Sequence, residues 1–113
     1  GDVVITLVAN TAKEHIREGD LLGRYGGEEF IICLPDTALA TAYELADIIR
    51  KNVSESIAVV NEEKISVTCS FGVTHALIEA GDRSQSIKTL MPRADQALYA
   101  AKKNGRNCVQ IIA

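Results

Sequence analysis

The stretch RYGGEEF, from Arg24 to Phe30, places two glycines and two glutamates immediately before an apolar run, FIICL. Glycine and glutamate are typical of exposed turns, whereas FIICL is typical of a buried strand. A second short apolar run, LLGRY, precedes the glycines, and two such runs joined by a short loop that contains glycine predict a β-hairpin. Because Gly26 and Gly27 carry no side chain, a large ligand could approach the backbone there, beside the carboxylates of Glu28 and Glu29.

The segments that flank the hairpin predict helices. Apolar side chains occupy every second position from residue 3 to residue 9, as in a strand. A second apolar pattern, spaced as one face of a helix, continues from residue 4 to residue 16, and its length favours a helix. After the hairpin, the sequence Pro35, Asp36 and Thr37 predicts the end of the strand and the N-terminal cap of a helix. The helix that follows has a predicted buried stripe of Leu39, Tyr43, Ala46, Ile49 and Val53.

The second half of the chain predicts a strand, a helix and a last strand. Residues 64–76 are rich in β-branched side chains and predict a strand interrupted at Gly72. The polar residues 79–86 predict a loop. A second long helix ends near Asn104 and Gly105, and its stripe comprises Leu90, Ala94, Ala97, Leu98 and Ala101. With CVQII as a closing strand, the pattern predicts one α+β domain whose central sheet is covered mostly by helices.

Composition narrows the classes of protein. The 113 residues are enough for a single core, and a net charge of −3 offers no basic face for a nucleic-acid polymer. No stretch has the length and apolarity of a membrane span and no signal peptide opens the chain, so we expect a cytoplasmic domain without membrane contact. The three cysteines lie in apolar runs and are expected to be buried free thiols. The chain opens on GDVV and its only methionine is Met91, so we expect part of a longer protein.

Two charged clusters are candidates for a site. Glu28 and Glu29 suit a Mg²⁺ ion held through carboxylates and substrate phosphates, although a solvated hairpin tip is the commoner setting for such residues. Lys102, Lys103 and Arg106 cluster where the last helix ends, and the helix dipole favours cations there without any ligand. The same donors could hold a polyphosphate. A phosphate site and a carboxylate turn together are the minimum equipment for metal-assisted phosphoryl chemistry.

Other polar residues point less directly to a function. Arg17 and Asp20 in the sequence REGD form the kind of pair that is most often a weak surface ion pair. His15 and His75 have no surrounding carboxylate or serine that suggests nucleophilic catalysis, so both are interpreted as structural or surface residues.

Taken together, the motifs resemble those of the GGDEF domain family, the diguanylate cyclases. They occur in the order GD, VA, REGD, RYGGEEF, LPDT, SFGV and ADQALYAAKKNGRN, over essentially the whole chain. The resemblance implies a palm-like α+β fold similar to that of nucleotidyl cyclases, with an antiparallel or mixed central sheet flanked by helices. It implies an enzyme of bacterial second-messenger signalling that joins two GTP molecules into cyclic di-GMP and releases two pyrophosphates. It also implies an active homodimer and a sensor or receiver domain elsewhere in the parent protein.

The resemblance assigns roles to the turn and to the last helix. Gly26 and Gly27 would lie against the nucleotide. Glu28 and Glu29 would be the catalytic carboxylates and the ligands of Mg²⁺, with Mn²⁺ as an alternative, and either could be the base for the 3′-hydroxyl. At the end of the last helix, Lys102 and Arg106 match the positions that hold the β- and γ-phosphates.

The resemblance also implies a product-binding site. Arg17 and Asp20 match the family's RxxD motif, where the arginine reaches guanine and phosphate of an intercalated cyclic di-GMP dimer and the aspartate accepts from guanine. In the family a further arginine from the next helix often contributes. Here that helix carries Arg50 and Lys51, with Glu44 and Ile48 on neighbouring turns.

One part of the family pattern has no match in the sequence. Before GD, members carry a strand and a helix with a metal-binding aspartate and an Asn and an Asp that read guanine. We therefore expect residues 1–113 to be an N-terminally incomplete GGDEF domain. Two alternatives to a cyclase domain follow: a module that binds cyclic di-GMP without making it, and an inactive truncated fragment.

Overall fold

The computed structural model describes residues 2–76 and 83–112, and only the backbone at Asp2 and residues 83–87. Within these residues three helices alternate with six short strands. In chain order the elements are α1 (Asp2–His15), β1 (Leu21–Gly26), β2 (Glu29–Cys33), α2 (Leu39–Glu55), β3 (Ala58–Val60), β4 (Glu63–Ile65), β5 (Phe71–Val73), α3 (Arg83–Lys103) and β6 (Val109–Ile111). This order confirms the α+β class. In the part of the chain so described, no helix combines the length and apolarity needed to cross a membrane.

The strands of the described residues are hydrogen-bonded in three pairs. β1 and β2 form the predicted antiparallel hairpin, with Arg24 opposite Phe30. β3 and β4 form a second antiparallel pair. β5 and β6 are parallel, with Phe71 opposite Val109, and α3 is the crossover that a parallel connection requires. Both parallel and antiparallel pairing are present, as expected for a mixed α+β fold. Among the described residues, however, the strands form three separate two-stranded sheets and not the one central sheet that was predicted.

The main core lies where α1 and α2 pack together against the strands. Ala12 of α1 is buried in one cluster with Ile49 and Val53 of α2. The side chains packed around the cluster come from both helices, the hairpin, β5 and the segment that leads into β5: Val8, Leu22, Ile32, Leu45, Val67, Cys69 and Phe71. The first segment is a helix, as the longer of its two patterns predicted, because that apolar face is the one that meets α2.

Helix α3 packs directly on the backbone of β5 at Gly72. A Cβ atom added to Gly72 would overlap the backbone nitrogen of Leu98 and the carbonyl oxygen of Ala94. Small side chains on α3 permit this approach, since Ala97 and Ala101 are completely buried. Gly72 thus lies inside β5, and the prediction that it interrupts the strand is wrong. The break falls earlier, because residues 66–70 have no strand structure.

Helix α2 begins without the side-chain cap that residues 35–37 predict. Its N-cap residue is Ala38, and no side chain bonds the first turn. The Thr37 hydroxyl instead donates to the Pro35 carbonyl at 3.0 Å and accepts from the Arg17 guanidinium at 2.8 Å. The cap prediction is wrong because this hydroxyl is bonded within the loop. The predicted stripe is correct at Ala46 and at the two core residues of α2, whereas Tyr43 is exposed.

Two further predictions need correction. Helix α3 begins at Arg83, inside the predicted loop 79–86, because arginine, glutamine and lysine favour helices even without an apolar period. The part of that loop before residue 83 lies outside the described residues. All three cysteines are free, but none is fully buried: Cys69 and Cys108 are half-buried and Cys33 is exposed. Cys33 is exposed because it ends β2 opposite the exposed Leu21.

The two histidines occupy structural and surface positions, as predicted. His15 ends α1, and its Nδ1 atom lies 2.8 Å from the Thr11 carbonyl oxygen. Its Nε2 atom lies 3.3 Å from the Asn52 amide nitrogen, which ties α1 to α2. His75 is exposed.

Candidate functional site

The GGEEF turn, residues 26–30, joins β1 to β2. Gly26 pairs with Glu29, and the register shifts between Arg24 and Gly26. Gly27 has a φ of +47°, a left-handed conformation that glycine adopts without steric cost. Glu28 is exposed at the tip and Glu29 is half-buried at the start of β2. The turn therefore carries two adjacent carboxylates at one end of the hairpin.

Arg24 braces this turn from within β1. Its Nε and Nη2 atoms donate to the Gly27 carbonyl oxygen at 3.0 and 2.6 Å. Two bonds from a planar guanidinium fix the direction of that carbonyl more firmly than one bond would. Sequence reasoning assigned Arg24 no role, and the only available signal was its position two residues before Gly26.

The backbone of the two turn glycines is open to solvent. A Cβ atom added to Gly26 or Gly27 would meet no atom within 4 Å. The φ of Gly26 also lies outside the left-handed range. Within the described residues, neither packing nor backbone conformation requires glycine at Gly26. The space suits a ligand that lies directly against the backbone.

The end of α3 approaches the GGEEF turn. Lys102 Nζ lies 3.9 Å from Glu29 Oε1, and the two side chains are 40% and 41% exposed. A predicted phosphate-binding residue and a predicted metal ligand are thus adjacent, although they are far apart in sequence. The neighbouring Lys103 lies over the Tyr99 ring at 5.2 Å from its centroid, so the two lysines make different contacts.

Arg106 lies just beyond the end of α3. Its backbone nitrogen donates to the Ala101 carbonyl at 3.0 Å, and Gly105 before it has a φ of +102°. This bond and this glycine are the features of a Schellman helix end. The Arg106 side chain is exposed. Residues 104–107 therefore contain the predicted helix stop and lead into β6. We call them the phosphate loop, after the role predicted for Arg106.

The carboxylates of the turn fit a metal ion that arrives with a nucleotide. Within residues 2–76 and 83–112, no group of three or more His, Cys, Asp and Glu side chains could hold a metal by itself. Mg²⁺ is commonly bound through one or two carboxylates together with substrate phosphates and water. Glu28 and Glu29 supply this donor set, and the exposure of Glu28 leaves room for phosphate and water.

Arg17 and Asp20 close a tight turn between α1 and β1. The Arg17 nitrogen donates to Asp20 Oδ2 at 2.9 Å, and the Asp20 nitrogen donates to the Arg17 carbonyl at 3.1 Å. The Asp20 side chain is only 4% exposed, and its Oδ1 atom lies 3.5 Å from Arg17 Nε. That contact is electrostatic, since Oδ1 has no hydrogen-bond partner among the described residues. Asp20 thus stabilises the turn with one oxygen, while its buried Oδ1 faces Arg17 and accepts no hydrogen bond.

The Arg17 side chain reaches across to the loop before α2. Its Nη2 atom donates to the Pro35 carbonyl at 2.7 Å and to the Thr37 hydroxyl at 2.8 Å. An open depression of about 450 Å³ lies at this place, lined by residues 17–20, Pro35 and Asp36. The RxxD residues are therefore brought together around a concave surface. Among the described residues, no hydrogen bond or ion pair of Arg17 or Asp20 reaches the GGEEF turn.

Arg50 does not bond to the RxxD residues. Its guanidinium bonds Asp47 on α2 and Asn107 in the phosphate loop, while Lys51 lies 3.8 Å from Asp47. The further arginine that the family often supplies to the product site is therefore not provided by either residue in this conformation.

Comparison with known proteins identifies the family. The profile of the family described as diguanylate cyclase, GGDEF domain, matches residues 1–108. Diguanylate cyclase A from Treponema denticola is 41% identical over 111 residues, which cover 98% of this chain and 29% of that protein. The response regulator PleD from Caulobacter vibrioides is 43% identical over 111 residues, with coverage of 96% and 24%. The chain thus spans less than a third of either relative.

Solved structures share the fold. The active GGEEF domain of a diguanylate cyclase from Vibrio cholerae is 36% identical with a TM-score of 0.78, covering 99% of this chain and 68% of that one. The GGDEF domain of DgcB from Caulobacter crescentus, in complex with c-di-GMP, is 32% identical with a TM-score of 0.86, covering 97% and 63%. Since the family profile spans nearly all of the sequence and these structures match its fold, the chain belongs to the GGDEF domain family of diguanylate cyclases.

Proposed function

We propose that this domain is the catalytic unit of a diguanylate cyclase, which joins two GTP molecules into cyclic di-GMP and releases two pyrophosphates. The observation that carries the proposal is the contact between Lys102 and Glu29, 3.9 Å apart. It sets a cation suited to phosphate beside a carboxylate suited to a metal. Phosphoryl transfer depends on this combination, because positioning and charge neutralisation provide most of its catalysis.

The proposed nucleotide position follows from the open side of the turn. GTP would lie against Gly26 and Gly27, where the outer face of the backbone is free. Its triphosphate would extend toward the end of α3, where Lys102 and Arg106 would bind the β- and γ-phosphates. Glu28 and Glu29 would hold Mg²⁺, or Mn²⁺, against the phosphates. When bound, the ion would neutralise phosphate charge as the pyrophosphate leaves.

The reaction consists of two equivalent steps. In each, the 3′-oxygen of one GTP forms a bond to the α-phosphorus of the other, and either Glu28 or Glu29 accepts the hydroxyl proton. The bond between that phosphorus and the bridging oxygen breaks, and pyrophosphate leaves with the electron pair. The two GTP molecules must therefore face each other. A homodimer in which each domain binds one GTP meets this requirement.

We also propose that cyclic di-GMP binds at Arg17 and Asp20 and inhibits the enzyme. The Arg17 guanidinium would leave Pro35 and Thr37 to reach guanine and phosphate. This movement would uncover the buried Asp20 Oδ1, which would then accept from a guanine N–H. The complex of the DgcB domain with c-di-GMP supports binding of this ligand by the fold.

Control by a regulatory partner is the corresponding proposal for the parent protein. PleD is a response regulator. The diguanylate cyclase SiaD from Pseudomonas aeruginosa, crystallised with its activator SiaC, is 38% identical with a TM-score of 0.81, over 98% of this chain and 41% of that one. Both relatives support a domain whose activity is set by a second domain or protein.

A second candidate function is a module that binds cyclic di-GMP without making it. The observation that favours it is the Asp20 acceptor beside the depression at Arg17, since these residues need nothing from the GGEEF turn. Such a module would bind cyclic di-GMP and leave GTP unchanged.

The deciding experiment incubates the protein with GTP and Mg²⁺ and detects cyclic di-GMP by mass spectrometry. Glu29→Ala should abolish product while the melting temperature changes little, because Glu29 is part of an exposed ion pair. Glu55→Ala, at the exposed end of α2, is the matched control and should retain activity. Unchanged product from Glu29→Ala would contradict the role of this residue. Cyclic di-GMP binding without GTP turnover would favour the binding module.

A further inference from the structure

The phosphate loop has an unusual backbone. Gly105, Arg106 and Asn107 have φ angles of +102°, +63° and +46°, so three consecutive residues are left-handed. Residues other than glycine adopt this conformation at a cost, and the surrounding structure must hold them in it. The helix end supplies one bond, to the Arg106 nitrogen. Asn107, which is farther from the helix, needs support from other elements.

Two elements distant in sequence provide that support. The Asn107 backbone nitrogen donates to the Ser70 hydroxyl at 3.1 Å, just before β5. The Asn107 side-chain oxygen accepts from Arg50 Nη1 at 3.1 Å, on α2. The loop that carries Arg106 is therefore held on its C-terminal side by a guanidinium from a core helix.

Arg50 is itself held in place. Its Nε atom donates to Asp47 Oδ1 at 2.8 Å, and its side chain is only 17% exposed. The guanidinium thus bonds Asp47 through Nε and Asn107 through Nη1, a geometry that a lysine ammonium does not reproduce. Lys51 lies 3.8 Å from the same aspartate, but its side chain is 62% exposed and makes no contact with the phosphate loop in the described structure.

We propose that Arg50 is a positioning residue for nucleotide binding: through Asn107 it holds the phosphate loop in the conformation that directs Arg106 toward the triphosphate. Arg50 does not touch the nucleotide in this arrangement. The inference rests on the proposed function, because it assumes that the loop binds phosphates. It adds a structural connection between α2, whose Ile49 and Val53 are core residues, and the phosphate site.

The first test follows the loop without any ligand. Amide hydrogen exchange of Asn107 reports the bond to Ser70 and the order of the loop. Exchange should become about tenfold faster in Arg50→Ala and stay unchanged in Lys51→Ala, which removes the other cation on Asp47. Equal exchange rates at Asn107 in the two variants would overturn the bracing role.

The second test measures GTP binding by calorimetry in Mg²⁺. The loss of a charge-assisted bond that orders the loop should weaken GTP about three- to tenfold in Arg50→Ala, while Lys51→Ala binds as the unsubstituted chain does. Where turnover is measured, KM should rise by the same factor and kcat should change little. Arg50→Lys should not rescue the affinity, because one ammonium cannot bond both partners in the same geometry.

A second variant covers the case in which Arg50→Ala does not fold. Asn107→Gly removes the side-chain oxygen that accepts from Arg50, and glycine suits the left-handed backbone. This variant should weaken GTP binding to a similar extent. The double variant should lose no more GTP affinity than either single variant, since both substitutions remove the same contact. Additive losses would overturn the inference. Absence of GTP binding by the unsubstituted chain would overturn the proposed function as well, whereas binding that Arg50→Ala leaves unchanged would overturn this inference alone.

Discussion

Lys102 Nζ lies 3.9 Å from Glu29 Oε1, although one residue belongs to the end of α3 and the other to the start of β2. Both side chains are about 40% exposed, and exposed ion pairs contribute at most about 1 kcal/mol to stability. The contact therefore contributes little to the stability of the fold. Its consequence is geometric, since it joins the two halves of the candidate active site.

Substitution of Lys102 should separate binding from stability. Lys102→Ala should weaken GTP binding about tenfold or more, because a charge-assisted phosphate contact is lost, and should leave the melting temperature nearly unchanged. Calorimetric titration with GTP and a thermal melt measure the two effects. Lys103→Ala is the control, since Lys103 contacts Tyr99 and not the turn. Similar losses in both variants would contradict the assignment.

Arg24 should be required for the shape of the turn. Arg24→Ala and Arg24→Lys should both lower the rate of cyclic di-GMP formation about tenfold, because misplacement of the carboxylates by a fraction of an ångström weakens catalysis. The free energy of unfolding should change by less than about 1 kcal/mol, since the lost bonds are exposed. Initial rates at saturating GTP and urea unfolding measure both quantities. A fully active lysine variant would show that the paired bonds to Gly27 are unnecessary.

Gly72 should tolerate no side chain. Gly72→Ala forces a methyl group onto the backbone of α3 at Leu98 and Ala94, and such overpacking should destabilise the domain by about 3 kcal/mol or more. The control is Gly23→Ala on β1, where an added Cβ meets nothing within 4 Å. Urea unfolding of the two variants gives the comparison. A stable alanine variant at Gly72 would mean that α3 can move away from β5.

Arg17 should govern affinity for cyclic di-GMP. Arg17→Ala should weaken binding of the dinucleotide about tenfold or more, because a guanidinium bond to phosphate and guanine is lost. Lys13→Ala, at an exposed position of α1 outside the depression at Arg17, removes the same charge and should bind as the unsubstituted chain does. Calorimetric titration with cyclic di-GMP distinguishes them. Equal affinities in all three proteins would place the binding site elsewhere.

Cys69 should make stability depend on alkaline pH. Burial raises the pKa of the Cys69 thiol above its ordinary value of 9.0. A raised pKa in the folded state means that the associated stability is fully present below pH 9.0 and decreases as pH rises through the folded pKa. Urea unfolding below and above this pH should show a smaller decrease for Cys69→Ala. Cys33→Ala, at an exposed site, should show the same decrease in the free energy of unfolding as the unsubstituted chain. An equal decrease in the two variants would contradict the prediction.

The accuracy of the sequence-based predictions varied with the range of the interaction. The hairpin around Gly27 and the helix end at Gly105 were predicted correctly, because turn and cap preferences act between near neighbours. The helix cap at Thr37 was wrong, since the hydroxyl bonds the Arg17 side chain. Gly72 was wrongly placed at a strand break, because its true reason is the close approach of a helix.

The sequence by itself determined the family, the α+β class and the motifs whose residues are candidates for the site. Motifs and apolar periodicity depend on residues that are close together in the sequence, so they can be recognised without the tertiary structure. Only the tertiary structure decided which side chains meet: Glu29 with Lys102, Arg17 with Thr37 and Arg50 with Asn107. The physical reason is that side-chain contacts depend on how helices pack against strands, and spacing along a chain does not specify distance across a packed core.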